Sequence, residues 1–197
     1  MYDHVDENIL TRNLTATNPS VTLTFDDGPS RLILPILNVL KEKEVQAVFF
    51  WQSRLSHHKR PWDRMSEDGH QIGSHSQNHP NFAKLSYIKQ LEQMKYSKEK
   101  LEKLSGNKIK YFRPPFGQFN DDTIKIAKQL NIEIVMWRIA SMDWQKGITA
   151  ESLIKNVTDN LEDGAIILLH ELPVTLEALP KLIDAIREKG YYFSKLP

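Results

Sequence analysis

Short apolar runs of strand length alternate with amphipathic segments of helix length along almost the whole chain, and this alternation limits the fold more than any other feature. Val21 to Phe25 is β-branched and breaks off at Asp26-Asp27-Gly28-Pro29, a strong turn signal. Arg31 to Glu44 reads as a helix with Leu34, Leu37, Leu40 and Ile33 on its buried face, and Pro35 is near enough its start to be tolerated. Ala47 to Trp51 predicts a second strand, and a polar stretch from Arg60 to Gly69 leads to a third at Gln71 to Ser74. Ser86 reads as the N-cap of a long helix in which Ile88, Leu91, Met94, Leu101 and Leu104 recur at helical spacing, and Gly106 closes it. Further strands are predicted over 109–112, 132–139, 165–169 and 191–196, and helices over 121–130, 149–161 and 176–189. Seven strands alternating with helices predict right-handed βαβ crossovers and a parallel sheet, its strands apolar on both faces. The expected organisation is one α/β domain over 21–197, preceded by an N-terminal extension over 1–20.

Composition agrees with a single domain. A chain of 197 residues can bury one substantial core, and 40% hydrophobic with 26% charged residues is the balance of a soluble globular protein. The net charge of +1, with both signs interleaved, carries no electrostatic footprint for nucleic acid, which is not expected as a partner. Without cysteine there is no disulfide, thiolate ligand or cysteine nucleophile. The longest apolar runs, such as Ala165 to Leu169, are far too short for a membrane span. Met1 to Leu10 carries Asp3, Asp6 and Glu7 and no apolar stretch of the signal-peptide kind. A cytoplasmic location is therefore expected as the chain is written, and an extracellular or cell-wall location if a leader has been removed.

The alternation also says where chemistry would sit. In a parallel α/β sheet or barrel the C-terminal strand ends open on one face, and active sites are built there. Asp26 and Asp27 follow the first predicted strand, His75 the third, Arg113 the fourth, Asp143 the fifth and His170 the sixth. Five separate segments thus deliver reactive side chains to one rim. Asp26-Asp27 alone is equally good turn chemistry. Joined by His75 and His79, four residues apart in a loop, it offers one carboxylate and two imidazoles for a metal with room for a water. The second carboxylate is then free to take that water's proton. Two nitrogens and one oxygen suit zinc best among divalent metals, with cobalt, nickel or iron also able to bind.

The remaining motifs each carry two readings. Arg113-Pro114-Pro115-Phe116-Gly117 is a proline-stiffened loop: either a surface Arg before a turn, or an Arg paired with an active-site carboxylate and a Phe116 N–H turned to an anion. Trp137 and Trp144 read as core or as substrate wall. His170 reads as a satisfied strand-end histidine or, facing the metal, as a general acid whose ordinary pKa of about 6.5 suits proton donation. His57 and His58 lie in a polar stretch and read as solvated, and His4 and His70 have no identifiable partners.

In this order, Thr24-Phe25-Asp26-Asp27-Gly28-Pro29, His75-Ser76-Gln77-Asn78-His79, Arg113-Pro114-Pro115-Phe116-Gly117, Asp143-Trp144 and Leu168-Leu169-His170 resemble the polysaccharide deacetylases of the NodB-homology type, carbohydrate esterase family 4. The resemblance extends from about Val21 to the C-terminus. It implies a distorted (β/α)7 barrel with parallel strands and a glycan or amino-sugar substrate. The implied reaction is hydrolysis of N-acetyl groups from N-acetylglucosamine-type residues in chitin, peptidoglycan or related glycans. It further implies Asp26 as the base, Asp27, His75 and His79 as metal ligands, Arg113 as the group orienting Asp26, and Asp143 as the partner tuning His170, the general acid. Trp144 and Leu168 would shape a pocket for the acetyl methyl, and the Phe116 backbone would meet the oxyanion. Two positions depart from the family pattern. Ala140 stands where the first Asp of an Asp-x-x-Asp-Trp motif is frequent, and Phe116 replaces a frequent Tyr. Two other readings keep the fold: a deformylase or other small-molecule amide hydrolase, and a catalytically silent carbohydrate-binding domain, against which retention of Asp26 argues.

Overall fold

Every strand of the computed structural model joins one sheet, and the order of that sheet decides where the polar residues collect. The structure describes residues 9–16 and 18–197. In chain order the elements are β1 (Ile9–Leu10), β2 (Ser20–Asp26), α1 (Ile33–Glu42), β3 (Val48–Trp51), α2 (Trp62–Glu67), β4 (Gln71–Ser74), α3 (Tyr87–Ser105) and β5 (Tyr111–Phe112). They continue as α4 (Asp121–Gln129), β6 (Glu133–Val135), β7 (Ile139–Ala140), α5 (Ala150–Thr158), β8 (Ala165–His170), α6 (Pro173–Glu188) and β9 (Tyr192–Phe193). The strands lie in the order β1-β6-β5-β4-β3-β2-β8-β7, with β9 beside β2, and all these pairings are parallel. With its flanking helices the sheet makes the expected distorted (β/α) barrel, whose two end strands, β1 and β7, are not paired with each other. Among the described residues no helix is long and apolar enough to cross a membrane.

The strand predicted over 132–139 is two strands. β6 pairs with β1 and β5, and β7 pairs with β8 at the far end of the sheet order. Met136, Trp137 and Arg138 therefore cross the seam, a break hidden by the largely apolar run. On the N-terminal side Arg12 bridges antiparallel to Ala165, and the Asn13 N–H donates to the Gly164 carbonyl at 2.8 Å, so the segment after β1 also spans the seam. That division, and β1 within the segment expected as an extension, raise the strand number from the seven predicted to nine among the described residues.

Side-chain alternation along each strand sends one set to the helices and the other into the barrel. Val21, Leu23 and Phe25 pack with Phe49, Trp51, Ile167 and Leu169 in the cluster that also holds residues of α1, α5 and α6. Val48, Phe50, Tyr111, Val135 and Ile166 form a separate cluster. Each Leu, Ile or Phe so removed from water contributes roughly 1.5–3 kcal/mol. Thr22, Thr24 and Asp26 fall on the interior side of β2 and are buried. The expectation of strands apolar on both faces therefore fails for β2. Leu168 and His170 share the parity of Ile166, and Arg113 that of Tyr111, so neighbouring strands bring them to the same mouth.

Helix faces depart from the apolar spacing where neighbours are polar or absent. In α1 the buried residues are Ile33, Ile36, Leu37 and Leu40, while Leu34 is exposed. α2 lies inside the stretch read as merely polar; at six residues it is too short to show a period, yet it buries Trp62 and Met65. α3 ends as predicted at Gly106, with φ of 71°, but Ile88 is exposed and the buried set includes Gln90 and Ser97. Ser97 Oγ lies 2.8 Å from Ser74 Oγ and donates to the Ser76 carbonyl at 3.1 Å. This helix thus packs on the polar underside of the loop carrying His75 and His79.

Candidate active site

β2 ends in Asp26 and the chain turns at once, Asp27 adopting a left-handed φ of 68°. The two carboxylates consequently differ in setting, with side chains 4% and 45% exposed. Gly28 is required next: a Cβ there would lie 1.9 Å from Glu171 Oε1 and 2.7 Å from Trp51 Nε1. Five non-glycine residues with left-handed φ, Asp27, Ser76, His79, Phe116 and Met142, occur in the loops beyond the strand ends, each at about 1–2 kcal/mol. Such backbone is concentrated where side chains are aimed for a purpose.

Arg113 is fully buried, and its guanidinium is engaged all round. Nη1 donates to Asp26 Oδ1 at 2.8 Å and to Thr24 Oγ1 at 2.7 Å. Nε donates to the Val135 carbonyl at 3.1 Å and Nη2 to the Met136 carbonyl at 2.9 Å. Those carbonyls lie at the break between β6 and β7. Burial pulls the Arg113 pKa down against the opposing pull of Asp26, but a guanidinium is too basic to be deprotonated in a protein and stays charged. One oxygen of Asp26 is thereby committed and oriented. The other faces His75.

His75 Nδ1 lies 2.7 Å from the Arg113 carbonyl. A carbonyl only accepts, so Nδ1 carries the proton and Nε2 presents its lone pair. Burial pushes His75 below the usual histidine range, outweighing the raising pull of Asp26 and Asp27, which keeps the ring neutral. His75 Nε2 stands 3.7 Å from Asp27 Oδ1, and His79 Nε2 stands 3.1 Å from that same oxygen. The ligand atoms of Asp27, His75 and His79 all fall within 4.8 Å of one another, the only such group among the described residues. Two neutral nitrogens and one carboxylate oxygen fit a divalent transition ion, zinc included.

A second acid–base pair faces the cavity from Asp27's other oxygen. His170 Nε2 lies 3.9 Å from Asp27 Oδ2. Its Nδ1 is 2.7 Å from Asp143 Oδ1, and its backbone N–H donates to Asp143 Oδ2 at 2.7 Å. Thr175 Oγ1 donates to that Oδ2 at 2.6 Å. Burial works to lower the His170 pKa, but the hydrogen bond and charge of Asp143, with Asp26 and Asp27 beyond, raise it overall. The ring is thus suited to hold a proton on Nε2. Between the two pairs lies a cavity of about 630 Å³, lined by Asp26, Asp27, His75, His79, His170, Leu168, Phe116, Trp137 and Trp144 among others. Phe116 stands edge-on to His79 at 4.5 Å and Trp144 edge-on to His170 at 5.2 Å.

The structure thus brings together every residue singled out for the site, with Arg113 and Asp143 behind the wall. His57 and His58 are exposed. His70 accepts from the Ala47 N–H at 3.1 Å, and burial lowers its pKa to about 4; these three histidines are not among the cavity lining. His4 lies outside the described residues. Three residues at the site have no counterpart in the sequence analysis: Gln52, whose amide donates to Asp27 Oδ1, Glu171, which lines the cavity and accepts from Trp51 Nε1, and Thr175. Gln52 and Glu171 each directly follow a strand, so position alone marked them, whereas Thr175 sits in the first turn of α6 and nothing local distinguishes it.

Barrel, cluster and cavity define a class: parallel α/β barrels with an Asp-His-His group able to hold a metal ion at the C-terminal mouth. The family model for polysaccharide deacetylases matches residues 13–135. A peptidoglycan-N-acetylglucosamine deacetylase of Bacillus cereus is 37% identical over 185 residues, covering 90% of this chain and 66% of its own length. A chitooligosaccharide deacetylase of Azorhizobium caulinodans is 28% identical over 93% of this chain and 96% of its own. The crystal structure of a peptidoglycan N-acetylglucosamine deacetylase superposes with a TM-score of 0.87 at 34% identity, over 96% of this chain and 90% of that one. The chain belongs to the polysaccharide deacetylase family.

Proposed function

We propose that this domain is a divalent-metal-dependent hydrolase that removes N-acetyl groups from N-acetylglucosamine-type residues of a glycan. The carrying observation is the division of labour at Asp26. One oxygen is bound to Arg113 at 2.8 Å, and the other points toward the Asp27-His75-His79 cluster, 3.9 Å from His75 Nε2. A site that only bound sugar or metal would not need that free carboxylate. The names of the relatives, peptidoglycan and chitooligosaccharide deacetylases, support the substrate class.

Held by Asp27, His75 and His79, a divalent ion would supply Lewis acidity, lowering the pKa of a water and polarising the acetyl carbonyl. Asp26 Oδ2 accepts the proton of the attacking water while Arg113 holds Oδ1. The Phe116 N–H is the proposed donor to the oxyanion, a role independent of its ring and so compatible with Phe in place of Tyr. His170 Nε2 protonates the leaving nitrogen, without which an amine is too poor a leaving group. The C–N bond breaks, acetate departs, and the amine stays on the sugar. Leu168 and Trp144 enclose the methyl group.

Acetate release from chitooligosaccharides and peptidoglycan fragments, with formate followed in parallel on N-formyl amines, tests the reading. Acetate is expected, abolished by chelator and restored by zinc, cobalt, nickel or iron. Formate without acetate would reassign the domain to deformylation. A protein that purifies free of metal and works undiminished in chelator would overturn the metal centre.

His170→Ala is expected to slow turnover by about 10²–10⁴-fold, the range of general acid–base catalysis, with metal content unchanged. The wild-type pH–rate profile should be bell-shaped, its alkaline limb reporting loss of the imidazolium. Asp143 raises the His170 pKa, so the acid form survives to higher pH with Asp143 than without it. Asp143→Asn should therefore move the alkaline limb to lower pH. A limb that stays put in Asp143→Asn, and persists in His170→Ala, would assign the proton to another group.

A further inference from the structure

One side chain reaches the proposed metal cluster from behind. Gln52, 5% exposed at the end of β3, donates from Nε2 to Asp27 Oδ1 at 2.9 Å. Its own Oε1 accepts from Arg54 Nε at 2.9 Å. Chemistry at both ends sets the orientation of the amide. A carboxylate accepts only and a guanidinium donates only, so the nitrogen must face Asp27 and the oxygen Arg54. The oxygen it holds is also the one nearest the imidazoles, 3.1 Å from His79 Nε2 and 3.7 Å from His75 Nε2.

The backbone around Gln52 carries the same connection further. Three successive N–H groups, of Gln52, Ser53 and Arg54, donate to the carbonyls of Gly28 at 2.8 Å, Ser76 at 3.1 Å and Gln77 at 3.2 Å. The end of β3 thus ties the Asp27 loop to the loop of His75 and His79. Asp27 has a side chain 45% exposed, and little packing restrains its carboxylate. A hydrogen-bond donor on the ligating oxygen supplies the restraint that packing does not.

We propose that Gln52, backed by Arg54, is a positioning residue for the metal site. Its amide holds Asp27 Oδ1 in the ligating orientation, and Arg54 holds the amide. The proposal rests on the reading of Asp27, His75 and His79 as metal ligands. Outer partners of this kind orient a ligand that would otherwise lose rotational entropy on binding, and they tune its basicity.

Metal affinity, not turnover, is the direct test. The zinc dissociation constant is measured by competition with a chromophoric chelator for the wild type, Gln52→Met, Arg54→Met and Asp27→Asn, with melting temperatures of the metal-free proteins alongside. Gln52→Met keeps the side-chain length and removes both hydrogen bonds. It is expected to weaken zinc binding by about 10–100-fold, the usual effect of losing a ligand's outer partner, with the metal-free melting temperature unchanged. Arg54→Met should fall between Gln52→Met and the wild type, because the amide remains but loses its anchor. Wild-type affinity in Gln52→Met, while Asp27→Asn loses binding, overturns the positioning role and leaves the ligand set standing. Undiminished binding in Asp27→Asn removes the ligand reading and the proposal together. Should Gln52→Met fail to fold, Arg54→Met decides, since Arg54 is exposed: unchanged affinity there sinks the relay.

Discussion

Asp26→Asn is expected to bind metal like the wild type and to turn over about 10²–10⁴-fold more slowly, the range that a positioned general base contributes. An amide in that place still accepts from Arg113 but cannot take a proton from water. Asp27→Asn should behave in the opposite way, losing metal first and activity as a consequence. The Asp26 substitution also removes the negative member of a buried pair, leaving the fully buried Arg113 short of its counter-charge. Removing one partner of such a pair typically destabilises by about 3–5 kcal/mol, and the surviving hydrogen bond offsets part of this. Elemental analysis, steady-state rates and a thermal melt on both variants separate the effects. Equal loss of metal in the two, with Asp26→Asn still active, would mean that the roles are reversed.

Arg113→Met should be the most destabilising single change at the site. It leaves Asp26 as an uncompensated buried carboxylate and takes donors from Thr24, Val135 and Met136 at once. Loss of the charge partner alone accounts for about 3–5 kcal/mol, and each orphaned buried acceptor adds about 1–3 kcal/mol. Against a typical total stability of about 5–15 kcal/mol, much of the protein should unfold on modest warming. Arg113→Lys restores the charge but not the planar fork that joins β2 to the end of β6, so it should recover only part of the loss. Urea unfolding of the three proteins gives the comparison. A midpoint for Arg113→Met equal to that of the wild type would show that the barrel interior does not depend on this pair.

These two residues also mark the boundary between what could be read in advance and what could not. Asp26 is legible because the short β-branched run from Val21 to Phe25 breaks off there in a turn, and the same strand-end rule brings His75, Arg113, Asp143 and His170 to one rim. The partners of Arg113 other than Asp26 were not legible. Two are carbonyls at a break inside an apolar run, and the third is a threonine 89 positions away. The inner face of α3 was misread at Ile88 for a related reason: it packs on the serines of the histidine loop, and a polar interface leaves no apolar period to detect.

The alternating α/β architecture, the rim on which the site would lie and the residue types available there can all be read along the chain. Those properties follow from local patterns: short apolar runs and helical periods, turn residues after strands, and the short reach of a side chain from its strand end. Packing in three dimensions sets which oxygen of Asp26 is free and which nitrogen of His75 carries a lone pair, and it places Gln52 and Thr175 behind Asp27 and Asp143. Hydrogen bonds have directions and distances that depend on strands packed far apart in sequence. The register of β2 against β3 and β8 sets those directions, so the chemistry of each carboxylate is settled by its neighbours in space.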